Sequence, residues 1–282
     1  MTNHIQRAAA PGRMASGVFR CVAVVGFLVF ANALMAQNYQ AGCQAGDLKG
    51  NWATEPVGTI LGGELAGPFT AVGLLTFDGV GTFSGVASSS FDGAIVYPFP
   101  AAGPYTVSSD CFVHVVETSL NIIFDGYLTR DKDEVVFFEP QAGTITTNLL
   151  RRIKIPYCNE RSLQDNWAIQ ATGTIVGTGQ FAQNGRLKFD GRGKFTGTTA
   201  SSIAGSIVDQ DITGTYTMNS DCTFTGTVRG GITGGGYIFG ILFHYGEGFY
   251  FDYSAAAPAS FLPTGLVISG TGRQAAPAEP PF

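Results

Sequence analysis

Few side chains in this 282-residue sequence carry chemistry that a site could use. Beyond the first 36 residues the only histidines are His114 and His244, which gives imidazole chemistry two places to sit. His114 precedes Glu117 in the apolar stretch Phe112-Val113-His114-Val115-Val116-Glu117. A carboxylate inside an apolar barrel gains a raised pKa and serves as a general acid or base. The densest aromatic run is Phe243, Tyr245, Phe249, Tyr250, Phe251 and Tyr253. Such rings stack on sugars or line an apolar pocket. The candidate ligand-binding residues are therefore His114, Glu117, Tyr245, Tyr250 and Tyr253. The competing reading assigns the rings to core packing and barrel mouths, and leaves His114 and Glu117 as an outward-facing pair.

Other chemistries find less support. Zinc needs three or four convergent ligands, and the sequence has no His-x-His or Cys-x-x-Cys pair. The acidic turn Asp131-Lys132-Asp133-Glu134 lacks the spacing of a calcium loop. Ser and Thr are abundant, yet no Gly-x-Ser-x-Gly precedes a helix, and the bland alternative is Thr on exposed strand faces. The run from Gly230 to Gly236 lacks the Lys and the following helix of a phosphate loop, and reads as a hairpin connection. No catalytic residue, metal or cofactor is assigned.

Residues 1–36 hold Arg7, Arg13 and Arg20 without an acid, followed by the apolar run Cys21 to Ala31 and the small-residue pattern Ala31-Asn32-Ala33. This is the pattern of a secretory leader, with cleavage after Ala33 or Ala36. An uncleaved anchor is the alternative, but the apolar core is short for a span that needs about 20 residues. Removing the three arginines from 16 basic residues leaves 13 against 21 acidic, a net charge of −8. Nucleic-acid binding wants a basic stripe instead. No second apolar stretch reaches membrane length. Cys21 leaves with the leader, and Cys43, Cys111, Cys158 and Cys222 remain, an even number suited to an oxidising compartment. Gln40-Ala41-Gly42-Cys43 is a poor lipid-attachment match, since Gln40 stands where Leu is wanted. The expected location is secreted, periplasmic or cell-surface.

The elements that must hold any site are written twice. Leu75 to Gly85 and Leu187 to Gly197 share an Asp-Gly hairpin, Phe77-Asp78-Gly79-Val80-Gly81 against Phe189-Asp190-Gly191-Arg192-Gly193. Gly accepts the positive φ of so tight a turn. Cys43 and Asn51-Trp52 recur 115 positions on as Cys158 and Asn166-Trp167, and Tyr105-Thr106 with Asp110-Cys111 recurs 111 positions on. The chain thus holds two copies, residues 43–153 and 158–273, between a leader at 1–36 and a Pro-rich tail at 274–282. Only 13% of residues are charged and 39 are Gly, which with many Thr, Val and Phe favours turn-rich all-β structure. Strands are expected near 50–58, 68–77, 81–88, 94–107, 111–118, 120–129, 133–139 and 144–152, and again near 165–174, 181–189, 193–200, 206–218, 222–229, 235–244, 247–253 and 264–273. Eight short antiparallel strands per copy bury a core by closing into a barrel, which also removes exposed edges. The fold class is two tandem antiparallel eight-stranded β-barrels, with β-sandwiches as runner-up. The duplication pairs Cys43 with Cys111 and Cys158 with Cys222, although four cysteines allow three pairings.

Gly-x-Leu-x-Phe-Asp-Gly-x-Gly-x-Phe-x-Gly at Gly185 to Gly197, followed by Thr-Gly-Thr-Tyr-Thr at 213–217 and Asp-Cys-Thr at 221–223, resembles secreted Gly/Thr-rich bacterial repeat proteins. Their domains are similar to allene oxide cyclase-like and dirigent-like barrels of the calycin type. The resemblance spans both copies and implies architecture; it carries no catalytic residue onto a numbered position. The leading expectation is an exported, non-enzymatic binding or cell-envelope module whose partner is an apolar small molecule or a glycan. The alternatives are an isomerase or cyclase working in a barrel pocket, and a carbohydrate-binding or adhesion protein. A convergence of polar groups in an open chamber separates the enzyme from the rest.

Overall fold

Alternation of inward and outward side chains decides the architecture. In Phe112–Glu117, Val113, Val115 and Glu117 are buried while the residues between them are not. That period of two is what a strand with one face on a core requires. The computed structural model describes residues 42–231, 234–255, 262–263 and 265–276; the expected leader and the end of the tail lie outside them.

The first copy supplies β1 (Gly50–Ile60), β2 (Gly67–Phe77), β3 (Thr82–Phe91), β4 (Ala94–Val107), β5 (Phe112–Glu117), β6 (Ile122–Leu128), β7 (Glu134–Phe138) and β8 (Thr144–Arg152). Each strand pairs antiparallel with the next, and β8 returns to β1, so the meander closes on itself. The second copy supplies β9 (Asp165–Ile175), β10 (Gly179–Phe189), β11 (Lys194–Ile203), β12 (Ser206–Met218), β13 (Thr223–Gly230), β14 (Gly235–Phe243), β15 (Gly248–Ser254), the two-residue β16 (Leu262–Pro263) and β17 (Leu266–Gln274). It closes through β17 on β9, while β16 crosses to pair with Ile95 and Ala94 of β4. The result is two closed eight-stranded antiparallel barrels, as the strand count and hairpin spacing anticipate.

Each barrel is plugged at one end by the same device. A 3-10 turn, Ala45–Leu48 or Glu160–Leu163, lies across the opening and presents a fully buried Leu48 or Leu163. Trp52 Nε1 donates to the Leu48 carbonyl at 2.7 Å, and Trp167 Nε1 donates to the Leu163 carbonyl at 2.8 Å. Tyr105 and Tyr216 donate their hydroxyls to the same turns, at Ala45 (3.1 Å) and Glu160 (2.8 Å). Disulfides Cys43–Cys111 and Cys158–Cys222 tie the turns to the barrel walls. The repeated Asp-Gly hairpins sit at this end. Asp78 Oδ1 accepts the amides of Val80, Gly81 and Thr82 at 2.8, 3.0 and 3.0 Å, with Gly79 at φ 86° and Gly81 at φ 135°. The Thr82 hydroxyl and these amides hold the Asp78 carboxyl well below the usual carboxylate range. Asp190 Oδ1 repeats the pattern with Arg192 and Lys194 amides at 2.8 and 2.9 Å. These aspartates build turns: Oδ1 of each is taken up by backbone amides, and Asp78 Oδ2 accepts the Thr82 hydroxyl.

From Gly42 onward the chain forms one unit, and the barrels share a seam. Outward residues of β1 and β2, Ala53, Val72 and Leu74, pack on outward residues of β14 and β15, Phe239, Ile241, Phe243 and Tyr250. The strands that form the seam are buried on both faces, which is why β2, β14 and β15 read as nearly continuous apolar runs.

Candidate functional site

The five expected ligand-binding residues do not converge. His114 points outward, where Nδ1 lies 2.6 Å from Asp125 Oδ1 on the neighbouring strand. Glu117, three residues on, faces inward with Val113 and Val115, because an odd separation in a strand reverses the face. The outward-pair expectation therefore holds for His114 and fails for Glu117. The aromatic run separates three ways. Tyr245 stands 68% exposed in the turn between β14 and β15, with Lys154 Nζ 5.0 Å from its ring centre. Tyr250 lies in the seam, its hydroxyl without a hydrogen-bond partner and its pKa pushed up by burial. Tyr253 lines the interior of the second barrel with Phe249 and Phe251.

Beyond the plugs, each barrel keeps an apolar chamber toward its other end. The chamber of the second barrel measures about 60 Å³ and is walled by Ile169, Phe181, Ile212, Phe224, Val228, Phe251 and Ile268. The chamber of the first measures about 80 Å³, with Phe69, Phe91, Phe99, Phe124 and Phe137 among its walls. For scale, an apolar cavity of about 150 Å³ takes benzene.

The chambers differ in the polar groups set into their walls. In the first barrel the Thr54 hydroxyl donates to Asn148 Oδ1 at 2.8 Å, both side chains buried. Glu117 reaches the same chamber, but its oxygens are occupied: Oε1 accepts the Ser119 amide and hydroxyl at 2.9 and 2.7 Å, and Oε2 accepts the Leu120 amide at 2.8 Å. Glu139 continues the inward series of Val135 and Phe137, only 8% exposed. Its amide donates to the carbonyl of Thr146, which sits opposite on β8 and is 4% exposed. Glu139 Oε1 and Thr146 Oγ1 are both buried without a hydrogen-bond partner. Unpaired buried polar atoms are costly and rare, so two of them side by side need a reason.

The second barrel supplies the comparison. Trp52 pairs with Arg152, and Trp167 pairs with Gln274, which fixes the register between copies. Counting from those pairs, Thr54 corresponds to Ile169, Asn148 to Gly270, Thr146 to Ile268 and Glu139 to Tyr253. The pairs Tyr105 with Val115 and Tyr216 with Gly226 likewise set Glu117 against Val228. Of the first chamber's polar positions only Ser89 keeps its side chain, as Ser201, while in the other direction Ala71 is matched by Gln183, which lines the second chamber and donates to Ser201 Oγ at 2.9 Å. Sequence reading found Glu117 and missed Thr54, Glu139, Thr146 and Asn148. The signal for them was a comparison of the copies position by position through β7 and β8.

The seam carries two carboxyls of its own, Asp252 buried and Glu55 partly buried. Burial pushes Glu55 up to about 8, with Ser269 of the second barrel and Arg151 pulling the other way. Burial pushes Asp252 up to about 7, offset by the Ser88 hydroxyl and the Phe239 amide. At the plugged end of the seam, the Phe243 ring lies between the guanidinium carbons of Arg151 and Arg273, at 4.8 and 4.9 Å. Arg151 Nε also donates to Glu134 Oε1 at 2.6 Å. His244 is held below its ordinary value, chiefly by burial. These groups serve contacts between the barrels. No cluster of three or more His, Cys, Asp or Glu that could hold a metal occurs among the described residues.

No family model matches this chain. No curated protein matches it either. Among solved structures, a protein of unknown function from the DUF3598 family, from Nostoc punctiforme PCC 73102, is similar at 9% identity and a TM-score of 0.23. The match covers 83% of this chain and 99% of that one. A likeness of that size carries no functional argument.

Proposed function

We propose that the chain is an exported, non-enzymatic binding protein whose first barrel takes the apolar part of a small molecule, while the second braces it across the seam. The observation that carries this reading is the asymmetry between two chambers built on one scaffold. The second is lined by Ile, Leu, Val and Phe with only Gln183, which is bonded to Ser201, and Tyr253 as polar groups; the first carries Thr54, Ser89, Glu117 and Asn148 at its wall, and Glu139 and Thr146 follow on the same inward faces of β7 and β8. Polar groups set into an apolar wall orient a ligand, and a structural core has no need of them. Export is supported by the leader pattern and by two disulfides, which persist in oxidising compartments.

The isomerase or cyclase alternative, which follows from the likeness to calycin-type barrels, needs an acid or base free to move a proton at the ligand. Glu117 is committed to the Ser119 and Leu120 backbone, and no His, Cys or Lys lines either chamber among the described residues. Methyl NMR of the exported protein titrated with small apolar probes tests the binding reading. Shifts are expected at Ala71, Ala87, Val115 and Leu150 of the first chamber. Shifts confined to Ile169, Val228 and Ile268, or none at either set, would count against it.

A further inference from the structure

The basic side chains of the first barrel are confined to one end, where acids accompany them. Its plugged end gathers every Lys and Arg of the copy, namely Lys49, Arg130, Lys132, Arg151 and Arg152. Several are paired there: Lys132 with Asp47 at 2.8 Å, Arg151 with Glu134 at 2.6 Å, and Arg152 with Asp133 at 3.7 Å. At the opposite end the connections are residues 61–66, 92–93, 118–121 and 139–143. They contain Glu64, Asp92 and Glu139, with Glu117 ending β5, and no Lys, Arg or His.

Three independent features of this end point the same way. The carboxylates stand without a cation from their own barrel. One of them, Glu139, is buried and keeps Oε1 unpartnered beside Thr146 Oγ1. Behind them lies a chamber whose walls include the rings of Phe69, Phe91, Phe99, Phe124 and Phe137. Aromatic faces attract cations through the ring quadrupole, most strongly where water is excluded. A carboxylate oxygen buried without a donor is stabilised by a ligand that brings a positive charge or a hydrogen-bond donor to it.

We propose that the ligand of the first barrel is a small organic cation, an ammonium compound with a compact apolar body and a hydroxyl or N–H donor. This rests on the reading of the first chamber as a binding site and narrows it to one ligand class. A chamber of about 80 Å³ has room for a branched group of a few heavy atoms, such as a trimethylammonium head. The second barrel has the rings but Val228, Tyr253 and Ile268 in place of Glu117, Glu139 and Thr146, and it is not assigned a cation.

The test compares choline with 3,3-dimethylbutan-1-ol, its uncharged isostere, by titration calorimetry of the exported protein. Choline is expected to bind roughly tenfold more tightly, the scale of one desolvated cation–aromatic or charge-assisted contact. E139Q is expected to bring that ratio close to one by weakening choline more than the alcohol, with an unchanged thermal unfolding midpoint setting it apart from a misfolded variant; a ratio that stays near tenfold in folded E139Q overturns the cation proposal. Equal binding of the two wild-type probes, or tighter binding of the alcohol, overturns the cation proposal and leaves the chamber as a binding site. Binding of neither probe overturns both.

Discussion

Asp252→Asn isolates the most deeply buried carboxyl of the seam between the barrels. Asp252 is 2% exposed, and burial pushes its pKa from 3.8 to about 7. Because the folded value lies above the unfolded one, the folded state holds a proton that the unfolded chain has released between those two pH values. The stability associated with that proton is intact below about pH 4 and is lost as pH rises toward 7. Each pKa unit is worth about 1.4 kcal/mol, so three units give a loss of up to roughly 4 kcal/mol, with water entering the seam reducing it. The assay is denaturant unfolding of wild type and D252N from pH 4 to pH 8, read by the fluorescence of the buried Trp52 and Trp167. The free-energy difference between the two proteins should fall by several kcal/mol across that window, with wild type losing ground as pH rises. A difference that stays flat with pH would refute the reasoning, since it would mean that the carboxyl reaches water in the folded state.

Glu55 should behave with the same sign over pH 4.5 to about 8, and E55Q should flatten that part of the profile in the same measurement. Trp52→Phe leaves the Leu48 carbonyl buried without its donor and should cost about 1–3 kcal/mol beyond any packing loss; Trp167→Phe should match it, and unequal costs would break the equivalence of the plugs. Removing Cys43–Cys111, whose partners are 68 positions apart, should lower stability by up to about 4 kcal/mol in the chain-entropy treatment, checked by unfolding C43S/C111S. Gly103→Ala should impair folding, because a Cβ there would lie 1.8 Å from the Val116 carbonyl oxygen where β4 meets β5 to close the first barrel; a stable G103A protein would show that closure to be misdrawn.

The barrels were legible in the sequence because their construction signals are local. Asp78-Gly79 and Asp190-Gly191 fix turns through the aspartate's own backbone contacts, and the alternation of Ile212, Gly214, Tyr216 and Met218 fixes a face. The seam was not read. Phe243 and Tyr250 belong to runs buried on both faces, and a continuous apolar strand says that something covers its outer side without saying what. The aromatic run therefore looked like a binding surface, although most of it is spent on the neighbouring barrel or the core. Glu117 stood out because it interrupts an apolar strand. Glu139 did not, since it follows Phe138 at a strand end, where a glutamate is ordinary, and its inward direction depends on register with Thr146. Thr54 and Asn148 carry no local signal; only the β1–β8 register, which pairs Thr54 with Leu150 and Asn148 with Pro56, makes them diagonal neighbours whose side chains meet.

Native mass spectrometry of the exported protein, purified from its own source without denaturation, tests the central claim most directly. The first barrel should retain a small molecule, seen as a discrete added mass. Ala71→Phe, which fills the first chamber, should abolish it, while Ile268→Phe in the second chamber should leave it in place. An added mass that survives Ala71→Phe and disappears with Ile268→Phe would assign the ligand to the wrong barrel and contradict the account.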